Sequence, residues 1–357
     1  MEKRYRAKEK YQTILDMLDI PIFQGGMGVG VSLGGLAGAV AAQGGAGTIS
    51  TAQIGFREKD FEQNSLQANL RAIGKEVEKA RKTANGKGAV GVNIMAVTKH
   101  YEEYVKEAVK QNVDFIVTGA GLPMELPGLV KGSDVKIMPI VSSVRAVSVI
   151  CKRWLKKYNK IPDGVIIEGP HAGGHLGFTV EDVQAETRES YNEKIVEIIK
   201  SLREFGEENG VYIPIISAGG YHTAEDLKEQ KKLGIDAVQM ATSFVATEEC
   251  DADIAFKQTY VNCKKEDIAI IKSPVGMPGR AIRNKFIYEI EHQNQKPERC
   301  YGCISVCKPA ETPYCITKAL INAVTGDVEH GLIFCGANAW KENRIRTVRD
   351  VIEEVLK

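Results

Sequence analysis

Eight short apolar runs, rich in Val and Ile and each ending in small or polar residues, recur along the chain with helix-compatible stretches between them. They are Pro21–Gln24, Gly47–Thr51, Ala89–Met95, Phe115–Thr118, Lys136–Ser142, Gly164–Glu168, Tyr212–Ser217 and Ala237–Ala241. The intervening segments are amphipathic. Tyr101–Gln111 puts Tyr101, Tyr104, Val105 and Ala108 on one stripe, and Thr223–Leu233 opens with a capping Thr and an acidic first turn. Buried strand alternating with helix means a parallel sheet, and eight right-handed β/α units close a barrel more naturally than they extend an open sheet. The expected fold is therefore α/β, a (β/α)8 TIM barrel with a C-terminal extension. The runner-up, a doubly wound sheet, lacks its dinucleotide fingerprint, because Gly28-Val29-Gly30 is followed by Leu33 where the third glycine belongs.

At 357 residues the chain fits one such barrel with a single large core. Residues 1–260 are expected to form the barrel. Residues 261–357 form an extension that packs on it as part of the same structural unit; it holds Ser273–Arg280, a cysteine cluster, the small-residue segment Phe334–Ala339 and a terminal helix at Arg346–Leu356. The segment Ile20–Phe56 has no charged residue and is long enough to span a bilayer, but its eleven glycines break it at Gly25-Gly26, Gly34-Gly35 and Gly44-Gly45. Strand, helix and strand fit it better than one span. With 47 basic against 46 acidic residues and no basic stripe interleaved with aromatics, nucleic acid is not an expected partner, nor is a membrane. The charged stretch Met1–Lys10 lacks the apolar core of a secretory signal, so the expected location is cytoplasmic. The expected partners are a small-molecule substrate and, as a homodimer, a second copy of the chain.

Barrel active sites lie at the C-terminal ends of the strands, with a phosphate often held after strands seven and eight. Here the seventh run leads into Ser217-Ala218-Gly219-Gly220 and the eighth into Gln239-Met240-Ala241-Thr242-Ser243. Glycines let backbone amides approach a phosphate, and a following helix N-terminus adds a favourable dipole. The sixth run ends at Glu168 and opens the loop Gly169-Pro170-His171-Ala172-Gly173-Gly174-His175. A histidine there can serve as acid or base near neutral pH, and His175 is the expected catalytic residue. Gln24-Gly25-Gly26-Met27, Asn93 and Thr118-Gly119-Ala120-Gly121 at other strand ends suit hydrogen bonding to a heteroaromatic edge. A metal-dependent or Schiff-base aldolase is disfavoured, since the strand ends carry neither paired carboxylates nor a lysine.

Taken in order, Pro21-Ile-Phe-Gln-Gly-Gly-Met27, Gly91-Val-Asn-Ile-Met95, Thr118-Gly-Ala-Gly121, Ala172-Gly-Gly-His-Leu-Gly177, Ala218-Gly-Gly220 and Gln239-Met-Ala-Thr-Ser-Phe244 resemble the motifs of the nitronate monooxygenase (2-nitropropane dioxygenase) family. That family includes the flavin-dependent enoyl-acyl carrier protein reductase II. The resemblance implies non-covalent FMN in the barrel. Gln24, Gly25, Met27, Asn93 and Thr118 would surround the isoalloxazine, Gly174, Gly219, Gly220, Ala241 and Thr242 would hold the phosphate, and Ala218 and Gln239 complete the cofactor set. His175 matches the family's catalytic histidine, acting as base or positioning group in the oxidation of alkyl nitronates by FMN and O2. The alternative is NADH-dependent reduction of an enoyl thioester through the same flavin. An alternative of another class is a flavin and iron–sulfur protein for electron transfer or redox sensing. His171 stands where many relatives carry Glu, which puts the charge beside the flavin in question.

Cys300-x2-Cys303-x3-Cys307-x7-Cys315 places four thiols within sixteen residues. Four thiolates suffice for zinc or an iron–sulfur cluster, although the spacing matches neither common ferredoxin pattern. A redox-active thiol pair and unliganded reduced thiols are the other readings. Arg280 is expected to meet an anionic group or to form a structural salt bridge. Phe178–Ser190 reads as a polar loop, with a substrate lid as the alternative.

Overall fold

The computed structural model describes residues 13–357; the expectation about Met1–Lys10 falls outside them. The eight apolar runs form eight parallel strands: β1 (Ile22–Gln24), β2 (Ala46–Ser50), β3 (Ala89–Asn93), β4 (Phe115–Thr118), β5 (Lys136–Val141), β6 (Val165–Glu168), β8 (Ile215–Ala218) and β9 (Ala237–Met240). Each pairs with the next, and β1 pairs with β9 through Phe23 opposite Gln239, so the sheet closes into a (β/α)8 barrel. The seventh apolar run starts three residues later than expected, because Pro214 has no N–H to give the ladder. The two-residue strand β7 (Gly174–His175) stands outside the barrel.

Alternation along β4 shows how the core divides. Phe115 and Val117 point into the barrel with Phe23, Met138, Ile166 and Ile216, while Ile116 packs outward under the helices. Ile14, on the short 3-10 turn Ile14–Met17, fills the same interior cluster. The charge-free segment resolves into strand, helix Gly34–Ala42 and strand, and no helix among the described residues is long and apolar enough to cross a membrane. Its small residues serve close packing against helix Ser65–Ala84. A methyl group on Gly47 would overlap the Ala37 carbonyl, a backbone atom that cannot swing aside. Gly47→Ala is therefore expected to cost about 3 kcal/mol of stability, seen as a lower urea midpoint with the m-value unchanged.

The helix Gly34–Ala42 has no cap in its own sequence. Asp251 supplies one from across the fold, accepting from the amides of Leu33 (2.9 Å), Gly35 (3.1 Å) and Leu36 (3.0 Å). Helix Ala224–Leu233 is capped locally by Thr223 and Asp226, as its sequence indicates. The same signal recurs at Thr179/Asp182 and Thr187/Ser190, and the expected polar loop Phe178–Ser190 is corrected accordingly: it holds the helix Val180–Ala185 and the start of the helix Arg188–Glu208. Capping residues and loop residues share the same polar composition, and only the three-residue spacing separates them.

Helix Ile254–Asn262 runs across the expected boundary at 260. Beyond it, β10 (Ile268–Lys272) and β11 (Pro278–Ile282) form an antiparallel hairpin, and β7 adds to β11 with Gly279 opposite His175 and Arg280 opposite Gly174. Ile282, Ile333 and Cys335 share a buried cluster with Val31 and Val245, and the terminal helix Val348–Leu356 buries Val348, Val351, Ile352 and Val355 against Leu36 and Val40. The tail thus lies across the C-terminal mouth of the barrel and along its side.

Candidate active site

The strand ends and the extension enclose a cavity of about 390 Å3. Gly25, Met27, Asn93, Gly174, His175, Ala218, Gly219, Gly220, Gln239, Ala241 and Thr242 all line it. Two expected cofactor residues do not. Gln24 is fully buried, with its Oε1 accepting from the Thr48 amide at 2.9 Å, and Thr118 is buried with its hydroxyl 3.2 Å from that of Tyr101. Both side chains satisfy the barrel wall, so their placement beside a ring is corrected.

The glycine turn after β8 has Gly219 at φ 145° and Gly220 at φ 79°, backbone that favours glycine, and a Cβ on Gly220 would press on His171 at 3.1 Å. The extension closes this cup. Asn338 Nδ2 donates to the Gly220 carbonyl (2.6 Å), the Ala337 amide to the His171 carbonyl (3.1 Å), and the Gly336 amide to Thr242 Oγ1 (3.2 Å). The helix after β9, Thr242–Val245, is a single turn, so the dipole expected there is small and backbone amides are the cup's main donors.

His175 is held by the extension rather than by the barrel. Its Nε2 lies 2.7 Å from Ser273 Oγ, its ring meets the edge of Phe334 at 4.9 Å between centroids, and its backbone pairs with Gly279. Burial lowers its pKa from 6.5 to about 4, so at neutral pH it is an uncharged imidazole able to take a proton. Burial also lowers the pKa of His171, helped by Arg280 and Arg188. Both effects favour the uncharged form of His171.

Arg280 does neither of the things expected of it. It is 5% exposed, and its guanidinium donates to the carbonyls of Ala172 and, at 2.8 Å, Pro170. A hairpin of the extension thereby latches the backbone of the histidine loop. Nothing local in Ser273–Arg280 signals this, since both partners lie a hundred residues away. Glu168 is the other residue whose role the sequence did not reveal. It ends the apolar run Val-Ile-Ile-Glu, it lines the cavity, and burial raises its carboxyl pKa to about 7. A charged residue closing a buried strand was the available signal. Because its ionisation falls near neutrality, the pH profile of turnover is expected to inflect near pH 7 and to lose that inflection in Glu168→Gln; an unchanged profile in the variant would exclude Glu168 as its source.

The four clustered thiols lie together at one side of the mouth. Cys300 is exposed, and Cys303, Cys307 and Cys315 are half-buried. Among the described residues no three His, Cys, Asp or Glu side chains close around a point that would hold a single metal ion, so the zinc reading of this cluster has no geometry behind it.

A closed parallel barrel with a glycine-walled cavity and an uncharged histidine at its strand ends defines a (β/α)8-barrel enzyme. The chain belongs to the nitronate monooxygenase family, whose profile matches residues 11–357. It is 28% identical over 137 residues to a probable nitronate monooxygenase of Staphylococcus saprophyticus, covering 38% of this chain and 36% of that one. It is 24% identical over 193 residues to one of Staphylococcus aureus (strain Newman), covering 54% and 50%. The matches thus span half or less of those curated relatives. Among solved structures, FabK from Thermotoga maritima superposes with a TM-score of 0.73 at 25% identity over 97% of this chain and 95% of that one. A nitroalkane oxidase from Streptomyces ansochromogenes superposes with a TM-score of 0.71 at 18% identity over 96% of both, a likeness of fold.

Proposed function

We propose that the protein is an FMN-dependent nitronate monooxygenase, converting alkyl nitronates and O2 to carbonyl compound and nitrite. The observation that carries this reading is His175, an uncharged imidazole facing the same cavity as the glycine cup. The cup fits the flavin's phosphate: a side chain at Gly220 would crowd His171, and one at Gly336 would fill the space at Thr242. Gly219, Gly220, Ala241 and Thr242 would hold the phosphate, and Gly25, Met27, Asn93 and Gln239 would face the ring. FMN held there would supply the redox chemistry of the reaction.

The chain's own residues bind, orient and move the proton. His175 takes a proton from a neutral nitroalkane or hydrogen-bonds the nitronate, and Ser273 fixes the direction of its Nε2. Phe334, Leu332 and Met277 line the cavity from the extension and exclude water around the substrate.

Reduction of an enoyl thioester with NADH is the second reading. It is favoured by the apolar side of the cavity, where Ile304, Ile316 and Leu320 would accept an acyl chain, and by the similarity to FabK. One preparation separates the two. Oxygen uptake on propionate 3-nitronate without NADH supports the monooxygenase; rapid anaerobic bleaching of bound flavin by NADH, with turnover of crotonyl thioester and no nitronate oxidation, would replace it with the reductase.

A further inference from the structure

The proposed oxidation leaves the cysteine segment unused, yet the fold gathers it. Between the helices Lys285–His292 and Ile316–Val324 the chain has no regular helix or strand, and its one ladder contact is the isolated bridge of Ile304 to Thr98. Along this irregular stretch all four thiols, Cys300, Cys303, Cys307 and Cys315, line a single small pocket. Each lies within electrostatic reach of at least two of the others.

Backbone amides already face the sulfurs. The Gly302 amide donates to Cys300 Sγ at 3.4 Å, and Cys315 stands at the N-cap of its helix with the amides of Thr317 and Lys318 beside its sulfur. Amide donors of this kind stabilise thiolate sulfur and tune the clusters that thiolates hold. Among the described residues that line the pocket the one charged group, Arg299, is paired with Glu62 at 2.9 Å, and Lys318 lies within electrostatic reach of Cys315.

A single tetrahedral ion would need its four sulfurs about 4 Å apart, given metal–sulfur bonds of about 2.3 Å, and no such closure exists among the described residues. A polynuclear cluster holds its thiolates farther apart. The free space between the sulfurs is about 20 Å3. Cys300 is exposed, so this space opens toward solvent on its side. We propose that Cys300, Cys303, Cys307 and Cys315 are the four ligands of a [4Fe–4S] cluster, and that Cys303 places it against the main cavity. Cys303, Ile304 and Ile316 line both spaces, so the cluster and the cavity share a wall.

The test uses the full chain purified without oxygen, assayed for iron, acid-labile sulfide, zinc and flavin. The expected result is about four iron and four sulfide per chain, with a broad brown absorption that dithionite bleaches. Cys300→Ser alters the most exposed of the four thiols, so its fold is retained; it is expected to lose most of the iron and sulfide while keeping its flavin and its thermal midpoint. Zinc without sulfide, no metal at all, or an iron content unaffected by Cys300→Ser would each overturn the proposal. Flavin content in the same samples reports on the barrel cavity by itself, so the cluster and the proposed oxidation stand or fall separately.

Discussion

Replacing His175 with Ala is expected to lower kcat/KM for nitroalkane or nitronate oxidation by about 10²- to 10⁴-fold, the usual contribution of a positioned acid or base. Bound flavin should remain near wild-type, because the glycine cup does not depend on the imidazole. The geometry makes the expectation specific. The ring is fixed on one side by Ser273 and on another by Phe334, so one nitrogen is directed and the ring is uncharged across the neutral range. A pH profile adds a second readout. With a pKa near 4 the base is available from pH 5 upward, so on a neutral nitroalkane His175 itself contributes a fall in activity as pH drops through about 4, separate from the inflection near pH 7 expected from Glu168. Stability has a related dependence. The unfolded histidine binds its proton near pH 6.5 and the folded one near 4, so His175 contributes a loss of stability as pH falls from about 6.5 to 4 and none above. Turnover undiminished in His175→Ala would remove the residue from the mechanism.

The second large effect is expected at Arg280. Arg280→Met keeps much of the side-chain volume but leaves the buried carbonyls of Pro170 and Ala172 without their charged donor. Hydrogen bonds to a charged group contribute about 1.5–3 kcal/mol each, so the loss should be about 4 kcal/mol in urea unfolding. Beyond stability, the histidine loop loses its latch. The expected signature is weaker flavin retention and a fall in kcat in the protein that remains folded, whereas a purely structural residue would change the urea midpoint alone. Arg280→Lys should recover part of the stability, since a lysine supplies donors without the planar fork that spans two carbonyls.

Much of the barrel was legible because its signals are local. Strands buried on both faces must be apolar throughout, so β3, β4, β5 and β6 announce themselves as Val- and Ile-rich runs, and the turns that follow must be small where backbone approaches a ligand. That is why Gly219-Gly220, Gly174 and His175 are placed together at one end of the barrel by the sequence, and they line one cavity there. Gln24 and Thr118 were misassigned for the same reason. A strand-end position says which end a residue occupies, but at the last residue of a strand the side chain can point into the wall, and both do.

The features decided only by tertiary structure are those whose partners are far apart in the chain. Asp251 caps a helix some two hundred residues before it, Arg280 latches a loop a hundred residues away, and Ser273 and Phe334 together orient His175. Each of these residues looks ordinary in its own segment, because a long-range hydrogen bond leaves no periodicity and no spacing to read. By itself the sequence determined the barrel and the end at which its glycine turns and His175 gather, since burial and turn geometry act on neighbouring residues. The tertiary structure decided how that histidine is held and charged, because both depend on what the returning extension packs against it.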